Sequence, residues 1–528
     1  MLQRSPTFPL VTAFLVTLAG TAHAQKYERV LGGPNSYEQA YDVSLYRNAG
    51  GYVTAGEFIS GADNFIQVVR FDRLGNRLWN HVYASDLLTT GFSIEQANNG
   101  DILVAGTIDF GLGGGLSTVV MRLDPAGNVI WSNAYAGTVG TDPIHTPEPG
   151  PALVEDEAGR IYVVTNFQGA PSAFGLRADG SVLWSWIYFD PSAGIGSERL
   201  HHFAFTDIKA ESDGTLVISG TSRVTDPNLG LPFTDMQDPM LLRIDAAGMP
   251  IVAAHYNYSG TLDRDTPETG DGLDVNRDTM EIVVAGRSSR PLDPAAPLIQ
   301  HWLLARTDFA PLGAAYFAVA GANADCTTGY SSVRYNFDQR EFAVVGAFAP
   351  PGGEATIHGF DRFGTPLWRR HSADQAQLDG IVPAPSCGYL AAGRIGGFMT
   401  GGGLDDIFHI KTDDAGETGC SRLVDEAFDP QEPRALFFPV KVGDAPFSEP
   451  FPADPFEPFD LEPSLCFNPL CGPCIPDWNG DGVLDFFDIL AFLSDFSSGN
   501  PSADINGDGA LDFFDILQFL SLFSAGCP

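Results

Sequence analysis

Two twelve-residue stretches near the C-terminus carry the clearest chemistry in this chain. Residues 477–488 read DWNGDGVLDFFD and residues 504–515 read DINGDGALDFFD, two copies offset by 27 positions. Side-chain oxygens fall at positions 1, 3, 5, 9 and 12 of each: Asp477, Asn479, Asp481, Asp485 and Asp488, then Asp504, Asn506, Asp508, Asp512 and Asp515. Gly482 and Gly509 stand at position 6, where the backbone must turn sharply, and Val483 and Ala510 offer their carbonyls at position 7. This is the spacing of an EF-hand-type loop. It suits Ca2+, a hard cation that takes about 6 to 8 oxygens, with position 9 usually acting through water. A lone DxNxDG is commonly a solvated turn. Two copies in register, each followed by the same helical run, point instead to two bound calcium ions.

Position 12 is Asp rather than the usual Glu, and the segment before the first loop, CGPCIP, is too rich in Pro and Gly to be a helix. With these departures, residues 474–528 resemble a type I dockerin, a calcium-dependent module of two loop-helix repeats that plugs into cohesin domains. The terminal Gly526-Cys527-Pro528 is similar to the ends of dockerin-type anchors that finish in a Gly-Cys pair. The helical runs FFDILAFLSDF and FFDILQFLSLF carry more apolar residues than a two-helix module can bury. Phe487 and Leu493, with their counterparts Phe514 and Leu520, are therefore read as partner surface related by an internal pseudo-twofold. The resemblance implies the same duplicated docking face and a cohesin-like protein or cell-surface anchor as partner. The alternative is that the surplus packs on the rest of the chain. Positions 10 and 11 of the loops, often small or hydroxyl-bearing in dockerins, are Phe-Phe here.

What the loops are attached to is legible as a repeat. Residues 38–423 give one pattern seven times: an apolar strand, a turn, a second apolar strand ending near Gly, a loop, a third strand, and an Asp/Gly turn. The second strands end near Gly56, Gly106, Thr165, Gly220, Gly286, Gly346 and Gly393. One four-stranded sheet per repeat predicts a mostly β chain, a seven-bladed β-propeller over 25–423, followed by a small α-helical unit. The turn D-x-x-G-x-x-x-W, at Asp72/Gly75/Trp79, Asp124/Gly127/Trp131 and Asp361/Gly364/Trp368, reads as a hairpin capped by Asp, with Gly at positive φ and Trp covering the blade edge. The seventh repeat lacks a Trp-led outer strand, so residues 27–33 (YERVLGG) are expected to complete it, with 435–442 as the alternative closing strand. In general appearance the repeats resemble secreted bacterial propeller-repeat proteins.

Charge and flanking segments set the context. With 29 basic against 66 acidic side chains the net charge is −37, which excludes a nucleic-acid binder working through phosphate contacts. The first 24 residues, with an apolar run and Ala22-His23-Ala24, read as a secretory signal peptide, so the expected location is extracellular or at the cell surface. Residues 424–473 form a Pro/Phe-rich acidic linker, with Pro-Phe pairs at Phe447, Phe451, Phe456 and Phe459 that either strap it to a blade or leave it free. Seven cysteines, at 326, 387, 420, 466, 471, 474 and 527, fit disulfides in a secreted chain, with a zinc set or a redox CGPC as alternatives. Cys474 and Cys527 bracket the C-terminal module and are favoured as a clasp.

No GxSxG, HExxH or Asp-box motif is present, so catalytic residues are not identified. The loops entering the third and fifth repeats both carry T-P-E-x-G. They bring His145 and Glu148, and Asp265 and Glu268, together with Asp142, Asp263 and Asp271, into consideration as a face site for carbohydrate or metal. The expected function is a noncatalytic propeller that binds a ligand or glycan and is docked through its calcium module, with a role in polysaccharide breakdown. The alternative is a glycoside hydrolase whose propeller is the catalytic domain.

Overall fold

The computed structural model describes residues 26–444 apart from loops between strands, the longest being 136–149, 190–199, 226–235, 258–267, 289–299, 308–314, 321–329 and 397–404. It also describes residues 478–525 apart from 479–485, 499, 501–502, 504 and 506–510. Contacts divide the chain into two compact units, Gln25–Pro473 and a second comprising Cys474–Pro528 with Met1–Ala24. No helix among the described residues is long and apolar enough to cross a membrane.

The larger unit is all β, in a propeller arrangement. Its strands form seven antiparallel sheets, spanning residues 37–83, 88–135, 152–189, 200–257, 268–320, 330–374 and 376–411. Each sheet packs on the next in chain order, and the seventh packs on the first. Six sheets draw four strands from one continuous run of chain. The seventh has only three of its own and is completed by Tyr27–Leu31, which pairs antiparallel with Asp406–Lys411. The N-terminal strand therefore closes the ring, whereas the alternative candidate, residues 435–442, lies on the third and fourth sheets.

The second strands are buried on both faces, as at Tyr52–Ser60 and Ile102–Asp109, because each is sandwiched between its neighbours. Their glycines have a specific steric cause. In six sheets the first strand carries a bulge, and the residue just before it pairs with the second-strand glycine: Ala40 with Gly56, Gly91 with Gly106, Phe205 with Gly220, Gly270 with Gly286, Tyr330 with Gly346, Leu378 with Gly393. A Cβ on Gly56 would stand 1.7 Å from the Gln39 carbonyl oxygen. The third sheet has Thr165 in place of Gly, and its short first strand, Ala152–Glu155, pairs without a bulge.

The Asp/Gly turns bind one sheet to the next. Asp72 and Asp124 each accept two amide bonds within their turns, from Leu74 and Asn76 and from Ala126 and Asn128. The Trp of one sheet then covers the turn of the following sheet. Trp131 Nε1 donates to the Ala178 carbonyl at 2.9 Å, and Trp184 Nε1 to that of Ala246 at 2.9 Å. Tyrosines four residues on repeat the contact: Tyr83, Tyr135 and Tyr188 donate to the Gly127, Gly180 and Gly248 carbonyls at 2.7, 2.7 and 2.8 Å. The motif read from sequence as a hairpin signal is thus also an inter-sheet latch.

Part of the stretch read as a linker is strand. Arg422–Leu423 pairs with the outer strand of the sixth sheet, Phe428–Gln431 with the fifth, Arg434–Phe437 with the fourth and Lys441–Asp444 with the third. This belt runs backwards around the ring and gives those sheets a fifth strand. An outermost strand tolerates Pro430, whose missing N–H costs no ladder bond on its solvent side. The four Pro-Phe pairs lie outside the described residues.

The smaller unit has two helices, α1 (Phe486–Ser498) and α2 (Phe513–Ala525). Phe492 and its counterpart Phe519 are fully buried and stack on each other at 4.1 Å between centroids, 3° from parallel. Trp478 caps both rings edge-on and donates to Asp495 at 3.1 Å. Equivalent residues meeting face to face give the pair its internal twofold.

Candidate functional site

Of the proposed calcium ligands, Asp488, Asp512 and Asp515 are described; Asp477, Asn479, Asp481, Val483, Asp485, Asp504, Asn506, Asp508 and Ala510 lie outside the described residues. The two position-12 residues, Asp488 and Asp515, are fully buried in the first turns of α1 and α2. Asp515 closes its loop. One carboxylate oxygen accepts the Ile505 amide at 3.0 Å and the other accepts the Asp512 amide at 2.9 Å, while Asp512 caps the helix by accepting the Phe514 amide at 2.8 Å. Burying two carboxylates requires balancing positive charge, and residues 477–528 contain no Lys, Arg or His. A bound cation fits this donor set, and the helix N-termini supply only part of the compensation.

The same helices expose one apolar stripe each. Phe486, Leu490 and Leu493 are 64%, 47% and 39% exposed, and their counterparts Phe513, Leu517 and Leu520 are 64%, 46% and 41% exposed. Spacings of four and three place each set on one helix face. Leu493, Phe514 and Leu520 were anticipated from sequence, and Phe514 is also exposed; nothing is described for the Phe487 side chain. Phe486, Leu490, Phe513 and Leu517 were missed, although the i, i+4, i+7 pattern of the duplicated FFDILxFL run contains them.

At the ring axis the first strands bring together charges that no motif announced. Arg334 of the sixth sheet reaches across the channel. Its guanidinium lies 3.9 Å from Asp42 of the first sheet and 4.0 Å from Asp207 of the fourth, and it donates to the Val333 carbonyl at 2.8 Å. Burial opposes its charge, yet Asp207, Asp274, Asp42 and Glu95 together hold its pKa above the ordinary value. Burial in turn pushes the Asp42 and Asp274 carboxyls up despite Arg334. These acids also bridge sheets: Asp42 accepts the Ile94 amide at 3.0 Å, Glu95 that of Glu155 at 2.8 Å, Asp207 that of Leu273 at 3.1 Å and Asp274 that of Tyr335 at 2.6 Å. Lys209 pairs with Asp207 at 2.6 Å. The cluster links the first strands of several sheets through one shared charge, Arg334. On the bulge of the seventh sheet, Asp379 is raised to about 6 by burial, against hydrogen bonds from Gln377 and Gln39.

The proposed face site is not assembled by the described residues. His145, Glu148, Asp142, Asp263 and Asp265 lie outside them. Glu268 opens the first strand of the fifth sheet opposite Ser288, and Asp271 is the bulged residue of that strand. Among the described residues no group of three or more His, Cys, Asp or Glu forms a metal cluster. All seven cysteines, Cys474 and Cys527 included, lie outside the described residues.

No family profile matches the chain, and no curated protein matches it. Solved structures do. A periplasmic gluconolactonase of Pseudomonas aeruginosa is 12% identical, covers 65% of this chain and 96% of its own, and has a TM-score of 0.38. A putative 6-phosphogluconolactonase of Bacteroides fragilis is 14% identical, with coverages of 74% and 98% and a TM-score of 0.34. Drosophila Plexin A, solved in complex with Semaphorin 1b, is 9% identical, with coverages of 74% and 88% and a TM-score of 0.40. These similar structures include lactonases and a protein solved with a protein partner, and at such scores they assign no activity.

Proposed function

We propose that this chain is a secreted, noncatalytic seven-bladed propeller protein that binds a ligand or glycan and is held by its C-terminal unit, a calcium-dependent docking module, to a cohesin-like partner at a surface or assembly. The observation that carries the reading is the pair of fully buried carboxylates, Asp488 and Asp515, in a segment without a base. Asp477, Asn479, Asp481, Val483, Asp485 and Asp488 would hold one ion, and Asp504, Asn506, Asp508, Ala510, Asp512 and Asp515 the other. The ions supply the charge that lets both helices pack through Phe492 and Phe519, so calcium orders the face that carries the twin apolar stripes.

Titration of the calcium-free full chain with Ca2+ by calorimetry tests this. Two sites are expected, with Asp508→Ala and Asp515→Asn each removing the second. Terbium in place of calcium adds a site-specific signal, because Trp478 is the second residue of the first loop: sensitised luminescence is expected from that loop and is lost in Trp478→Phe. Absence of calcium-linked heat refutes the calcium reading, and turnover in a polysaccharide hydrolysis screen refutes the noncatalytic one.

A further inference from the structure

We propose that residues 422–444 are a strap that yields in stages when the C-terminal unit is pulled, so that tension is absorbed before it reaches the ring. The order of pairing carries this. The segment nearest the C-terminal unit, Lys441–Asp444, lies on the third sheet, and each preceding segment lies one sheet further on, ending with Arg422–Leu423 on the sixth. Tension entering at Asp444 must therefore strip Lys441–Asp444 from Val182–Phe189 before Arg434–Phe437 is loaded, and so on around the ring. Each contact is short: four residue pairs in each of the last three segments and two in the first.

Loss of a segment leaves a sheet of a kind this ring already uses. The first and second sheets have four strands and no fifth among the described residues, and their shared core is complete, with Val53, Val68, Ile102, Val104 and Met121 buried. The base of the strap, by contrast, is pinned. Thr418 and Ser421 exchange reciprocal bonds, from the Ser421 amide to the Thr418 hydroxyl at 3.0 Å and from the Thr418 amide to the Ser421 hydroxyl at 3.2 Å. The Thr418 hydroxyl also donates to Glu28 of the closing strand at 2.5 Å, and Arg370 Nε donates to the Ala415 carbonyl at 2.8 Å. Peeling that begins at Asp444 ends where side-chain bonds take over from edge pairing. The low-stability elements are thus placed between the pull and the closure. This inference rests on the docking reading only for the source of tension; the staged release is a property of the strap.

The experiment is force spectroscopy on the full chain, with one handle on an azide-bearing residue replacing Glu157, which is exposed on a turn of the third sheet, and the other at the C-terminus. Successive reversible gains of about 25, 21, 28 and 7 Å are expected as the four segments let go, reaching about 80 Å for the 23 residues before any sheet-sized release, at about 3.5 Å per extended residue. Replacing residues 422–444 by a Gly/Ser stretch of equal length removes these gains and keeps the sheet-sized ones. A single release of the whole strap, a sheet-sized release that comes first, or gains that persist in the replaced chain each overturn the proposal. Calcium binding is scored separately on the same protein, so failure of the docking reading leaves this outcome readable.

Discussion

Replacing Arg334 with Met tests whether the axial charges are a unit. Arg334 is the cation common to Asp42, Asp207, Asp274 and Glu95, and its nearest carboxylate approaches are 3.9 and 4.0 Å. The amide bonds those acids accept persist in the variant, so the loss is that of the central charge. Removing one member of a buried ion cluster costs about 3–5 kcal/mol because the partners remain desolvated. Asp42 and Asp274 already have raised pKa values with Arg334 present, and without it they rise further. In the variant the folded state then binds more protons than the unfolded chain, whose Asp groups titrate near about 3.9. The deficit relative to the parent is therefore largest near neutral pH and shrinks as pH falls towards about 5. Urea unfolding of both proteins at pH 7.5 and pH 5 measures it. A loss under about 1 kcal/mol at pH 7.5, or a loss that does not change with pH, refutes the reasoning.

Two further perturbations probe the ring. His409 is buried at the closing seam, where Tyr52 Oη lies 2.5 Å from its Nδ1, and burial followed by the nearby Arg29 holds its pKa well below the ordinary value. The unfolded chain therefore binds a proton that the folded chain excludes below about pH 6.5, and stability present above that pH is lost as pH falls; the acid limb of the urea midpoint flattens in His409→Phe. Gly56→Ala places a methyl 1.7 Å from the Gln39 oxygen and is expected to cost roughly 3 kcal/mol or more, against under about 0.5 for Ala158→Ser on an exposed turn, by thermal unfolding.

Features that repeat by side-chain type were readable in advance. The Asp/Gly turns and the second-strand glycines recur from repeat to repeat, each with a local steric reason, and the closing strand was legible because the seventh repeat lacks an outer strand of its own. What escaped was anything made by one sheet for another. Trp131 looks like the opening of its own outer strand until its indole is seen on the Ala178 carbonyl of the next sheet. Arg334 has no motif around it; its role comes from acids 127 and 292 residues earlier that the ring brings to the axis. The pairing of Phe428–Gln431, Arg434–Phe437 and Lys441–Asp444 as fifth strands escaped for another reason, although 435–442 had been considered as a strand closing the ring. Edge pairing uses backbone groups alone, so a stretch containing Pro430 and Pro433 joins a sheet without the alternation that marks a strand. Residues 477–488 and 504–515 stood out for the opposite reason, since the oxygen ligands proposed there lie within twelve residues of one another.

Closing the ring with its first strand has a consequence for biosynthesis. Tyr27 pairs with Lys411, 384 residues later. At about 5–20 residues per second, the ribosome makes the partner strand roughly 20–80 s after the closing one. For that interval the backbone of Tyr27–Leu31 has no strand to pair with on the nascent chain, although the Tyr27 side chain can already meet Tyr52 of the first sheet. The propeller cannot be sealed sheet by sheet as it is made, and a chain interrupted before Asp406 leaves an open ring with an unsatisfied strand at one end and an uncovered sheet at the other.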